Sequence, residues 1–392
     1  MNNKSVIFLK PEKYRDHDLI KYELDYFNKD IEIIFIEINN IIFGPNKKKN
    51  SKNKKIISIN NYKSLYHNLK ELLKKYENIF IVNLISRHSI KSIIVNIIIY
   101  YFKKKIKIIE ILNSGFPEKI IQKNYSDRKY PLKLNILYIK RKIENYICKI
   151  FDKIYGFRPH YKLVAGKKNH LKYKNSNFKL INISSWDISN IYARKIKPKN
   201  LNKIVYIDGA NPLFFSDLEI LNYNKSITLK WYKSLNKFFT FIENKLNYKI
   251  IICPHPDAQI NDNYKKILCY RKISSADTIK EISEAKIIFT RQSTASAVAL
   301  HFKKPLFFLY SNEIIKDYIS FNVIKNLSIL MKKKAINIDN YFNEFEKIKK
   351  IKFFKNDYFT NYLSYKKLVG NKNNTKILNN IIVNNDKLYH DY

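Results

Sequence analysis

The chain repeats one pattern along most of its length: an apolar run of strand length, a turn, then a longer stretch with helical periodicity. A strand separated from the next by a helix pairs with it in parallel, and the helices cover the faces of the sheet. That alternation confines the chain to α/β architecture. In the first half the spacing predicts strands near Val6 to Leu9, Ile31 to Ile36, Lys55 to Ile59, Ile79 to Leu84 and Ile106 to Ile111, with helices near Tyr62 to Tyr76 and His88 to Phe102. The polar, basic "YARKIKPKNLNK" interrupts the pattern. Beyond it the rhythm restarts, with strands expected at Lys203 to Ile207, Lys249 to Cys253, Ile267 to Tyr270, Lys286 to Phe289 and Pro305 to Leu309. Helices are expected at Leu229 to Leu246, Ala276 to Ser283 and Thr294 to Phe302.

At 392 residues the chain exceeds one ordinary domain. The expected organisation is a Rossmann-like lobe over 1–195, a second over 196–315 that binds a nucleotide, and a helical and irregular tail over 316–392 that packs back on the lobes. Its 45% apolar and 15% aromatic content is enough for real cores, despite the charge. A net charge of +41 invites a nucleic-acid partner. Lys, Asn, Ile and Tyr are abundant and Arg and Gly scarce, however, as in proteins encoded by very A/T-rich genes, and no zinc-knuckle, RNP or basic-zipper pattern accompanies the charge. Nucleic acid is therefore not the expected partner. The charge still favours acidic ones: nucleotide phosphates, anionic lipid or an acidic saccharide.

Cys148, Cys253 and Cys269 have no CxxC spacing, and their odd number argues against a disulfide framework, as expected in a reducing cytoplasm. The start "MNNKSVIFLKPEKYRDHD" lacks a signal-peptide core, and the longest apolar run, "IIVNIIIYYF", falls well short of the ~20 residues that cross a bilayer. Leu134 to Phe151 sets Ile136, Ile139, Ile143, Tyr146, Ile147 and Ile150 on one helical face, with Lys140, Arg141, Lys142 and Lys149 elsewhere. It is expected to turn that face to the core; the competing interpretation is a basic helix lying on anionic lipid.

Open α/β sheets bind ligands beyond the carboxyl ends of their strands, so polar residues that follow an apolar run are the candidates for chemistry. Three clusters qualify. In "IVYIDGANP", Asp208 is a potential general base and Gly209 lets the backbone turn; an ordinary Asp-Gly turn is the competing explanation. In "IICPHPDAQI", His255 stands between Pro254 and Pro256, which stiffen the backbone and aim the ring at a phosphate oxygen or leaving group. In "TRQSTASAVAL", Ser293, Thr294 and Ser296 crowd the expected first turn of a helix beside Arg291. Amides and hydroxyls there would cradle an anion, whereas one hydroxyl would suffice as an N-cap. No DxD carboxylate pair stands in a strand-end loop and the histidines lack ligand spacing, so no metal and no cofactor besides a co-substrate is expected.

The stretches "IDG" (Ile207 to Gly209), "HP" (His255-Pro256) and "STAS" (Ser293 to Ser296) occur in the order of the acidic, His-Pro and Ser/Thr motifs of bacterial sialyltransferases. Between Lys203 and about Asn312 the chain resembles GT-B glycosyltransferases of bacterial surface-polysaccharide synthesis. The resemblance implies two Rossmann-like lobes facing across a cleft, and metal-independent transfer from a CMP-, UDP- or GDP-sugar to capsule or lipopolysaccharide. It assigns catalysis to Asp208 and His255, and nucleotide phosphate binding to Gly209, Pro256, Arg291, Ser293, Thr294 and Ser296. Ser114 and Gly115, after a first-lobe strand, would contact the acceptor. The first acid of the family motif is replaced by Ile207. If that position holds the true base, Glu110 or His88 in the first lobe are substitutes, or the chain is an inactive nucleotide- or glycan-binding subunit of an assembly or export complex. The expected location is cytoplasmic, peripheral on the inner face of the membrane.

Overall fold

The computed structural model describes residues 4–44, 55–112, 132–209, 225–349 and 357–384, apart from 16, 86, 88, 256, 257, 259, 275, 276 and 317. It divides into two compact units. Of the described residues, the first contains those within 4–112, 132–186 and 365–384; the second contains those within 187–364.

The first unit is built on a seven-stranded, wholly parallel sheet: β1 Lys4–Lys10, β2 Ile31–Glu37, β3 Ile56–Ser58, β4 Asn78–Asn83, β5 Lys107–Leu112, β6 Tyr161–Ala165 and β7 Lys179–Ile183. Their order is β3-β2-β1-β4-β5-β6-β7, so the chain winds outward from β1 in both directions. Helix α1 (Tyr62–Lys75) starts at a capping box between Asn61 and Ser64 and buries Leu65, Leu69 and Leu72. Helix α2 (Ile90–Tyr101) has the same device between Ser89 and Ser92. Helix Asn374–Asn384 lays Ile377, Leu378, Ile381 and Ile382 on this unit's core.

One expectation for this unit is corrected. Helix α3 (Leu132–Tyr155) packs through Cys148 and Phe151 against Ile93, Ile97, Tyr100 and Phe157, leaving Ile143, Tyr146 and Ile150 exposed. The helix has two apolar faces, and the smaller one took the core. Sequence periodicity finds both faces but does not rank them.

The second unit carries a five-stranded parallel sheet: β8 Lys203–Ile207, β9 Lys249–Cys253, β10 Ile287–Thr290, β11 Leu306–Tyr310 and β12 Lys334–Asn337. The order is β12-β11-β10-β8-β9. Helix α4 (Lys225–Leu246) buries Trp231, Tyr232, Leu235, Phe238, Phe239 and Ile242 in the core of this unit. Strand β12 and the described residues on to Ser364 extend this unit past position 315, whereas 365–384 belongs to the first. The strand expected at Ile267 to Tyr270 is instead the end of helix α5 (Asp262–Ile267), whose start is capped by the Asn261 side chain, 2.9 Å from the Tyr264 amide. Cys269 and Tyr270 then take left-handed φ of 50° and 53°, which no strand accommodates. The sheet gains a single parallel bridge between Ile252 and Ile273 there.

Candidate functional site at the carboxyl edge of the second sheet

Strand register fixes where the three clusters meet. Cys253 on β9 pairs with Ile207 on β8, and Ile207 pairs with Thr290 on β10. With strands ~4.8 Å apart, the row spans about 10 Å, and each cluster begins one to three residues beyond it. The Asp208 amide donates to Cys253 O at 2.9 Å, and Thr290 Oγ1 donates to Ile207 O at 3.2 Å, tying the three strand ends together. The chain enters the sheet at β8, goes to one side for β9 and to the other for β10, so the topological switch point lies between β8 and β10. Gly209 and the segment Arg291 to Thr294 flank it. A Cβ on Gly209 would lie 3.6 Å from Gln292 O, an ordinary contact, and its φ is not left-handed; the fold itself does not demand glycine there.

Asp208 follows the period of its strand. Side chains alternate across a sheet, so Asp208 shares a face with Tyr206, and Ile207 points to the opposite face. The Asp208 carboxylate is 5% exposed and accepts from Tyr232 Oη (3.1 and 2.9 Å) and Tyr264 Oη (2.7 Å), phenols delivered by α4 and α5. Burial pushes its carboxyl up to about 6, opposed by the phenol hydrogen bonds and by the positive charge of buried Arg291. Tyr206, Tyr232 and Tyr264 are in turn driven well up by burial, so all three phenols stay protonated and donate.

His255 is half-buried in the turn after β9, where its carbonyl accepts from the Ala258 amide at 2.8 Å. In the third cluster helix α6 runs Ser296–His301, shorter than expected, and its N-cap is Ala295 without a side-chain capping bond. Ser296 is fully buried, with its hydroxyl donating to Ser293 O at 2.7 Å and lying 3.8 Å from Met331 Sδ. It faces the core. Ser293 Oγ accepts from the Ala295 amide at 3.2 Å, and Thr294 is exposed. The edge therefore presents Ser293 and Thr294, with Arg291 behind them.

Pro256, Ser114, Gly115 and His88 lie outside the described residues. Glu110, on β5 of the first unit, accepts from Arg87 Nη1 at 2.8 Å and Tyr100 Oη at 3.0 Å, and Lys162 Nζ lies 3.6 Å away. Its charge is already matched by cations, as in a structural ion-pair cluster. Among the described residues, no group of three His, Cys, Asp or Glu is placed to hold a metal ion, and no helix is long and apolar enough to cross a membrane. Tyr232 and Tyr264 are the site residues that sequence reasoning missed. In a chain with 30 tyrosines nothing local distinguishes them; only the alternation of Tyr206 and Asp208 hints that the carboxylate turns toward the helix layer.

Fold and site together define a protein of two parallel α/β units, the second with a polar switch-point edge. Among solved structures the chain is similar to the UDP-GlcNAc 2-epimerase of Methanocaldococcus jannaschii (15% identity, 96% of this chain and 99% of that one, TM-score 0.48). It is also similar to an S. aureus MnaA-UDP co-structure (12%, 89% and 88%, TM-score 0.47) and to the wall teichoic acid polymerase TagF (12%, 98% and 89%, TM-score 0.46). No family model and no curated protein matches the chain.

Proposed function

We propose that the chain is a metal-independent, GT-B-type glycosyltransferase, moving a sugar from a CMP-, UDP- or GDP-linked donor to a cell-surface polysaccharide or lipopolysaccharide. The observation that carries this is the convergence of Gly209, Ser293 and Thr294 on the β8/β10 switch point, with His255 at the end of the next strand. In transfer, an acceptor hydroxyl oxygen bonds to the anomeric carbon as the bond from that carbon to the donor phosphate breaks, and the hydroxyl proton is released to solvent or to the departing phosphate. The departing phosphate gathers negative charge. Ser293 and Thr294 would hold it, His255 would donate to it, and Arg291 would supply positive charge from behind at low dielectric. The arginine charge and these hydrogen-bond donors would take the place of a divalent ion. Pro256 would aim the histidine, and Ser114 and Gly115 would meet the acceptor. Ser296 supports this edge from within, through its bond to Ser293. Asp208 acts in this scheme as a positioning residue, because two phenols already engage its oxygens. The acceptor class places the enzyme peripherally on the inner face of the membrane.

One observation favours a second function. With Ile207 buried and Asp208 enclosed, the switch point shows no open carboxylate among the described residues, as expected of an inactive nucleotide-binding subunit. A panel of CMP, CDP, UDP and GDP read by thermal shift, followed by donor hydrolysis or transfer, separates the two. Either protein is stabilised by a nucleotide, but only a transferase consumes donor. His255→Ala is expected to weaken nucleotide binding by about 10-fold, the loss of one hydrogen bond to a charged group. Unchanged binding in that variant would remove His255 from the site.

A further inference from the structure

Helix α3 carries an apolar stripe that nothing described covers. Ile143 (54% exposed), Tyr146 (67%), Ile150 (41%) and Ile154 (70%) follow one another at spacings of three and four, which keeps them on one side of the helix. The opposite side is anchored by Cys148 and Phe151 against Ile93, Ile97 and Tyr100. The stripe is therefore held outward by a packed face, not left over from a loose helix. Exposed Lys149 and Lys153 sit along its edge, and the same helix carries Lys140, Arg141 and Lys142 in sequence. An apolar stripe bordered by cations on a long helix suits the headgroup boundary of a bilayer, where rings and branched chains enter the acyl region and ammonium groups meet anionic lipid. A second copy of the helix is the other occupant that this spacing could suit. Charge decides against it: pairing two copies would bring the same lysines together on chains that each carry a net +41.

We propose that the exposed face of α3 is a docking surface for an anionic membrane. It rests on the peripheral placement of the enzyme proposed above, but it is read without donor or acceptor, so its failure is distinguishable from a failure of the transferase assignment. The full-length chain is floated with phosphatidylcholine vesicles, with and without phosphatidylglycerol, at low and high salt. Binding is expected to phosphatidylglycerol vesicles only, and to weaken with salt. Ile150→Glu combined with Ile154→Glu is expected to reduce it by at least about 10-fold, since two apolar anchors are replaced by like charges of the lipid. Lys149→Glu with Lys153→Glu should reduce it too, while both variants keep the wild-type melting temperature because the replaced side chains are exposed. Vesicle binding by folded Ile150→Glu/Ile154→Glu equal to wild type would overturn the proposal. So would a wild-type dimer in sedimentation that this substitution dissociates.

Discussion

Asp208 gathers most of the chemistry that a linear reading of this chain leaves hidden. A carboxylate after a strand suggests an exposed base, yet the phenols of Tyr232 and Tyr264 enclose it, and burial raises its carboxyl from 3.8 to about 6. A folded-state value above the unfolded one means that the proton binds the folded chain more tightly. This group's contribution to stability is therefore fully present below pH 3.8 and is lost as pH rises through about 6, by up to about 3 kcal/mol. Asp208→Asn cannot titrate. Urea unfolding at pH 4 and pH 7 should show the wild type losing about 2 kcal/mol more than the variant between the two. Parallel pH profiles would show that the carboxylate is not buried as described. Ser296 gives the same lesson. Three hydroxyls in a row were legible as a cluster, but only packing shows that the third points at Met331.

At the scale of elements, the βα rhythm of the second unit was legible nearly to the residue from β8 to β11, because each of these strands is a buried apolar run with clear punctuation. Strands β6, β7 and β12 did not stand out: Lys162, Lys179, Asn182, Lys334 and Asn337 break up short apolar runs, and β7 and β12 lie at sheet edges. The false strand at Ile267 to Tyr270 arose from apolar residues at the end of a helix begun six residues earlier, at its N-cap Asn261. That cap has consequences for the site, since α5 delivers Tyr264 to Asp208. Asn261→Ala should cost about 1 kcal/mol of stability and speed amide exchange across Asp262 to Ile267. Unaltered exchange there would mean that the helix is held by packing alone.

At the scale of the whole molecule, each unit has its own parallel sheet and its own switch point, between β1 and β4 in the first and between β8 and β10 in the second. The sequence exposes the number of units through length and rhythm, but strand order emerges only when every strand has a neighbour. Strand order is what brings residues 83 positions apart, Ile207 and Thr290, to adjacent strand ends. Net charge is the least informative whole-chain property, because lysines spread over exposed faces give the same total as a focused site. The direct measurement is a crystal structure of the full chain soaked with CMP, UDP or GDP. A nucleotide phosphate is expected within about 3 Å of Ser293 or Thr294, with the His255 ring turned toward it. A nucleotide phosphate bound away from the β8/β10 edge would contradict it.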